Sequence, residues 1–387
     1  MVLLRGCADD EMNIERATKK DFKELMELMA HSYRVLNPTH PRFEELLPDL
    51  YQPTEESMRC HLIVRLDGRI AASVGVYPFE VKSANVQLKI AGVGGVCTAP
   101  EHRGKGLMTA LLQAARADIA AQGYPLSWLS GDRDRYAPFG WEKVGSDLLV
   151  QGAELKPEDT PRGWPLKQLR SLDESLPAIA EARDRMVANG VCDDALFKVK
   201  CQRLGMEVWE ARQGSAYAYV VANRRQNWLV EWGGDVEGVR ALIYKLMMGI
   251  GRWFVRLPPL HDDFVNMFLR VAAVIVPGVD NVAVTSLPAL ARAYEAYWAP
   301  LWPRDKGLHL MVCTEDSVIT EVCIAGGGKV RDRLDRNDFL LRLDPLQMSL
   351  LLFGPIKPSM LLQLPVERQW LDRLFPLPFY VPSLWRV

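Results

Sequence analysis

Residues 88–121 put three things in immediate succession: an apolar run "LKIAGVGGVCT", a basic loop "APEHRGKG" broken by glycine, and a run of helix formers "LMTALLQAARADIAA". A strand that feeds straight into a helix is one half of a crossover, so the chain must build a sheet with at least one helix packed on it. The loop between them is equally restrictive. A helix N-terminus offers unpaired N–H groups and about half a positive charge. Glycine at 104 and 106 lets that backbone approach an anion closely, and Arg103 and Lys105 add charge. The stretch reads as a cradle for a diphosphate, although the same pattern also opens ordinary turns. No Gly-Lys-Ser/Thr follows it, which excludes a P-loop. No early strand–glycine–helix unit with an acidic strand end is present, which excludes a dinucleotide fingerprint.

Around this feature the chain alternates strands and helices. "NIERA" and "TKKDFKELMELMAHSY" read as a strand and a helix capped by Thr18, and Asp67-Gly68 marks a hairpin turn. After the crossover helix come a short strand "PLSWLSG", a turn with a helical piece "DRDRYAPFG", and a strand "WEKVGSDLLVQG". The predicted order over 13–152 is β-α-β-β-β-α-β-α-β. Proline and charge mark 153–165 as a linker. From 166 to 285 the pattern begins again, with helices at 173–188 and 193–203, a hairpin around Gln213-Gly214, a strand "NWLVEWGGD" and a helix at 236–249. This second stretch reads as a degenerate internal repeat whose loop "EWGGDVEGVR" has no basic pair between its glycines. Residues 286–387 differ again, with a helix carrying Leu290, Tyr294 and Tyr297, strand-like runs, two further helical segments and a proline-punctuated tail "PLPFYVPSLWRV" too apolar to float free. Residues 1–12 read as an extension with no structural role.

Composition narrows the class. At 387 residues with 49% hydrophobic and 25% charged, the chain is globular with ample core for two or three domains. A formal net charge of −1 gives no field for nucleic acid or anionic lipid. Seven scattered cysteines with no CxxC pair argue against a disulfide framework or a structural zinc site, and fit a reducing cytoplasm. No apolar run approaches the ~20 residues of a membrane span.

The loop Glu101-His102-Arg103-Gly104-Lys105-Gly106 resembles the R/Q-x-x-G-x-G/A signature of the GNAT acetyltransferase superfamily, departing from it at Glu101. A second stretch, "RYAPFGWEKVG" at 135–145, resembles the Y-x-x-F-G-[YW] segment of the enhanced intracellular survival (Eis) acetyltransferases. That group joins an active GNAT domain, a degenerate one and a sterol-carrier-like C-terminal domain, a layout similar to the three parts above. The resemblance implies an α/β (α+β) fold with two GNAT-type mixed-sheet domains in tandem. The third domain would be sterol-carrier-like. It implies acetyl-CoA as co-substrate, no metal, and a small-molecule or lysine amine as acceptor. Homo-oligomers are also implied by the family.

By the same resemblance, Val96, Cys97 and Thr98 would pair with the pantetheine, and the segment His102, Arg103, Gly104, Lys105, Gly106 and Leu107 would hold the diphosphate. Tyr136 would be the general acid, and the carboxylate of Val387 the general base. Val387 departs from the aromatic final residue expected in the family. The chemistry is reasonable: a primary amine with pKa near 10.4 is neutral in only about one in 10³ molecules at pH 7, so deprotonation costs roughly 4–5 kcal/mol. A tyrosine carries a proton at neutral pH for the leaving thiolate. Asp132 and Asp134 are the other candidate bases, though carboxylates before a helix also serve as caps. His31 and Tyr33 stand on the first helix, which borders the substrate groove in this fold. The competing class of function is a non-catalytic protein that binds CoA or lipid on the same scaffold.

Overall fold

The computed structural model describes residues 13–35, 37–260, 262–314 and 317–387, so the segment read as an extension, 1–12, lies outside them. The first part of the chain forms β1 (Ile14–Arg16), α1 (Phe22–Arg34), α2 (Phe43–Leu46), α3 (Glu55–Arg59), β2 (His61–Leu66), β3 (Arg69–Ser83) and β4 (Val86–Thr98). It continues through α4 (Leu107–Ala121), β5 (Leu126–Leu129), α5 (Arg133–Tyr136) and β6 (Glu142–Gly152). Strands β1 to β4 pair antiparallel in order, and α4 crosses over to make β5 parallel to β4. Local chemistry sets these elements. Asp67 and Gly68 both have positive φ, as a tight hairpin between β2 and β3 requires. Thr18 and Asp21 form a capping box before α1, which buries Leu25, Met26, Leu28 and Met29 on one stripe.

The next part forms β7 (Leu166–Leu169), α6 (Leu176–Asp184), β8 (Ala188–Val191), α7 (Asp194–Lys200), β9 (Met206–Gln213) and β10 (Ala216–Asn223). After these come β11 (Trp228–Gly234), α8 (Val236–Met247), β12 (Trp253–Leu257), α9 (Asp263–Arg270) and β13 (Ala272–Val284). Strands β7, β9, β10 and β11 form an antiparallel meander, and α8 crosses over to the parallel strand β12. This topology repeats that of β1 to β5. The two halves are nevertheless one sheet. β6 pairs with β12 on one side and β13 on the other, and β13 in turn pairs with β5.

Three of these strands, β8, β12 and β13, are absent from the expected pattern. The helix predicted over 173–188 ends at Asp184, and Ala188–Val191 pairs with β3 instead. At Gly190 any Cβ would stand 1.9 Å from the Trp385 ring, so a distant contact decides this strand. β13 was not foreseen, because no local signal says that residues 272–284 pair with β5 and β6 of the first part of the chain.

The last part holds α10 (Leu287–Trp298), β14 (Leu308–Cys313), β15 (Val318–Ala325), β16 (Lys329–Arg331), β17 (Phe339–Leu343), α11 (Pro345–Phe353) and α12 (Pro358–Leu361). Its sheet has the order β16-β15-β14-β17. The tail beyond it is buried at Phe375, Leu377, Phe379, Tyr380, Val381, Leu384 and Trp385. Among the described residues no helix is long and apolar enough to cross a membrane. All six described cysteines are free.

Candidate active site

A bulge opens the site. The β3–β4 register passes from Ser73↔Cys97 to Gly75↔Gly94, so Gly95 and Val96 together face Val74. Gly95 has φ +58, the left-handed conformation that glycine supplies without strain. β4 pairs with β5 only at Ala91↔Ser127 and Gly92↔Trp128, and beyond these the strands part. A groove of about 740 Å³ lies along the freed end of β4, lined there by Val96, Cys97 and Thr98.

The basic loop forms the next wall. Gly104 and Gly106 have φ +79 and +76, and a Cβ at either would meet nothing within 4 Å. Their requirement is conformational, and the space above them is open. Gly106 is the N-cap of α4 and carries no side chain to satisfy the first turn, so the N-terminal N–H groups of a 15-residue helix remain available to an anion. His102, Arg103, Gly104, Gly106 and Leu107 line the groove. Lys105 is outside this lining, with its Nζ 3.2 Å from His102 Nδ1. Arg103 donates to the Ser32 carbonyl at 3.2 Å and ties the loop to α1.

Tyr136 closes the opposite side. Its ring packs against Gly131, where a Cβ would stand 2.4 Å from the ring. Burial raises the Tyr136 hydroxyl above its ordinary value, while the charge and hydrogen bond of Arg135 pull it back down. The short helix α5 is anchored by Arg133, which donates to Glu142 at 2.9 Å, and by Asn281 of β13, which donates to the Gly131 carbonyl at 2.8 Å. Asp132 and Asp134 are exposed and outside the groove lining. Burial pushes the Cys97 thiol up to about 12, so it stays protonated and is a poor nucleophile.

Residues 13–144 match the family model described as the acetyltransferase (GNAT) domain. These residues are a GNAT acetyltransferase domain. Its chemistry is acetyl transfer. The fold of the whole chain is similar to solved structures of about the same length. One is a conserved protein of unknown function from Enterococcus faecalis V583 (16% identical, 94% of this chain and 96% of the other covered, TM-score 0.68). A second is a GCN5-related N-acetyltransferase from Kribbella flavida (16% identical, 95% and 96% covered, TM-score 0.66). A third is Eis1 from Mycobacterium abscessus (14% identical, 96% and 98% covered, TM-score 0.63). No curated protein matches the chain by sequence.

The tail returns to this GNAT domain. The Val387 Cγ2 methyl lies 3.1 Å and 3.3 Å from where Cβ atoms on Gly92 and Gly94 would stand, and the Val387 carboxyl carbon lies 3.5 Å from the latter. The glycines of "GVGG" thus make β4 flat enough to receive the tail. Arg386 reaches Asp280 of β13 with two hydrogen bonds of 2.8 and 2.6 Å. Its carbonyl accepts from Arg203 at 2.9 Å. Arg203 and Lys200 both pair with the fully buried Asp49 carboxylate, at 2.6 and 2.8 Å. The middle and last parts of the chain therefore fix the tail against the GNAT domain.

Sequence reasoning passed over several groove residues. Ser32 donates to the Thr98 carbonyl at 3.2 Å, and Tyr33, named there only as a bordering residue, donates to the Val96 carbonyl at 3.4 Å. Met108, Thr109 and Arg135 also line the groove. The "RY" pair at the start of the tyrosine segment was the available signal for Arg135. His31 faces a separate depression with Glu24, Glu27, Asp67 and Glu101, which shares only His102 with the groove. Among the described residues no group of three or more His, Cys, Asp or Glu side chains stands where a metal could be held.

Proposed function

We propose that the GNAT domain moves the acetyl group of acetyl-CoA directly to a primary amine, with Tyr136 as the general acid. The observation that carries this reading is the convergence on one groove of the Tyr136 ring, the bulged end of β4 and the uncapped N-terminus of α4. Acetyl-CoA supplies the thioester when bound. The N–H groups at Gly106 and Leu107, with Arg103 and His102 beside them, suit its diphosphate. The bulged backbone at Gly95 and Val96 suits its amide chain and the thioester carbonyl. Tyr136 then gives its proton to the departing sulfur.

In the same reading the carboxylate of Val387 is the base that takes the proton of the acceptor ammonium. Its support is the position of Val387 against Gly94, two residues from Val96. Where the family has a terminal aromatic, the rings of Phe79 and Tyr77 already flank Gly92 and Gly94 here. Residues 286–387 are read as the sterol-carrier-like unit, whose task in this chain is to deliver the tail.

The acceptor in this reading is a primary amine: a small polyamine, an aminoglycoside-like compound or a lysine side chain. The test is free-thiol release from acetyl-CoA against a panel of amines, with Tyr136→Phe in parallel. Turnover should fall by ~10²–10⁴ in the variant while acetyl-CoA affinity holds. Near-normal turnover would reduce Tyr136 to a packed ring. Binding without turnover on any amine would favour the non-catalytic alternative.

A further inference from the structure

Two arginines flank the acid on α5, and they are used differently. Arg133 is spent on structure through its 2.9 Å ion pair with Glu142. Arg135 has no ion pair among the described residues and lines the groove beside Tyr136, where its charge favours the ionised hydroxyl. It also lies close enough to Tyr33, across the groove on α1, to act on that hydroxyl through its charge. An unpaired cation against a proton-donating oxygen is placed to act when that oxygen becomes negative.

Resting on the assignment of Tyr136 as acid, we propose that Arg135 holds the negative charge left on Tyr136 after proton transfer and so sets how readily Tyr136 donates. The step balances within the groups named. As the acceptor nitrogen bonds to the acetyl carbon, the C–S bond breaks and its electron pair goes to sulfur, while the proton the new amide nitrogen must lose passes to solvent. That pair takes the Tyr136 proton, and the O–H electron pair remains on the phenolate oxygen, facing the guanidinium. The phenolate is reprotonated from solvent after the products leave.

Other groups face the same oxygen and fix the sign of the effect. Burial and the Asp132 carboxylate both oppose a phenolate, and Arg135 favours one. From α1, Tyr33 interacts with Tyr136 and with Cys97 of β4, neither of which carries charge in the neutral range. His102 and Arg103 line the far wall. Removing Arg135 therefore leaves Tyr136 a weaker acid that stays protonated to higher pH.

The experiment compares Arg135→Gln, Arg135→Lys, Tyr136→Phe and the double variant Arg135→Gln/Tyr136→Phe. Thiol release is followed from about pH 7 to about pH 11.5, a span that runs past the ordinary tyrosine value, because the Tyr136 hydroxyl is raised above it. Arg135 is exposed, so its variants should fold, which melting temperatures check. Arg135→Gln should lower kcat by about 10- to 100-fold, the worth of a hydrogen bond to a charged group, with KM for acetyl-CoA little changed. Its alkaline limb should move to higher pH, Arg135→Lys should recover much of the rate, and in the Tyr136→Phe background Arg135→Gln should cost nothing further. An unmoved limb, an equal loss in the Tyr136→Phe background, or an effect on KM alone would overturn the role. A slow Tyr136→Phe beside a normal Arg135→Gln sinks only this inference. A normal Tyr136→Phe sinks the acid assignment and Arg135 with it.

Discussion

The loops after β4 and after β11 start from the same topology and end in opposite states. In the first, the N-cap of α4 is Gly106, and the helix N-terminus faces an open groove. In the second, the N-cap of α8 is Asp235, whose carboxylate accepts from the N–H groups of Glu237 and Gly238 at 2.9 and 3.1 Å. The middle helix carries its own anion. Space differs in the same sense. A Cβ at Gly234 would stand 2.1 Å from the Tyr217 carbonyl oxygen, while one at Gly104 or Gly106 meets nothing. The cleft where β11 and β12 part holds the tail. Tyr380 and Pro382 line what is left of it, about 20 Å³, room for a single water. Tyr380 donates to the Arg256 carbonyl at 2.9 Å, and the Trp228 indole donates to Ser383 at 3.3 Å. The cleft of the middle unit thus seats the chain's own tail, which then runs on to Gly92 and Gly94 of β4.

Breaking the seat should give the largest effect. Asp49 lies between the first unit and Lys200 and Arg203 of the middle one, and removing one member of a buried pair strands the others. Asp49→Asn should cost about 3–5 kcal/mol of stability in denaturant titration. The neighbouring cations hold the Asp49 carboxyl well below its ordinary value despite burial. Its contribution is therefore complete above the ordinary carboxylate range and is lost only as pH falls below that range toward the depressed value. Wild type should show this acid-dependent loss, and the asparagine variant should lack it.

The loops themselves can be interchanged. Gly106→Asp places an anion where α8 already has one and strains a left-handed residue, so acetyl-CoA affinity should drop by about 100-fold or more in calorimetry. Wild type should bind one acetyl-CoA per chain; two would mean that the tail does not fill the middle cleft. A short polar tag after Val387 should leave this affinity intact while cutting turnover, and an untouched rate would pass the base to Asp132 or Asp134. The smallest effect belongs to Asp235→Ala, which should cost about 1 kcal/mol of stability and leave acetyl-CoA binding unchanged.

Much of the GNAT domain was legible because its signals are local. The Asp67-Gly68 turn, the stripe on α1, the glycines at 104 and 106 and the aromatic segment around Tyr136 each follow from neighbours within a few residues. The same local logic failed at Gly190. There, no property of "VANGV" announces a strand; its pairing with β3 and the packing of Trp385 on Gly190 come from distant parts of the chain.

What the sequence alone determined is the set of parts: an uncapped, glycine-gated helix mouth after a strand, a tyrosine one short helix beyond, and an apolar end that had to be held somewhere. The tertiary structure decided how they meet. β13 lies between β5 and β6, Arg135 rather than Arg133 faces the groove, and Val387 rests on Gly92 and Gly94. The physical reason is range. Backbone φ, turns and caps depend on atoms a few bonds away, whereas strand order and the burial of Asp49 depend on contacts more than 100 residues apart, for which pattern in the chain carries no address.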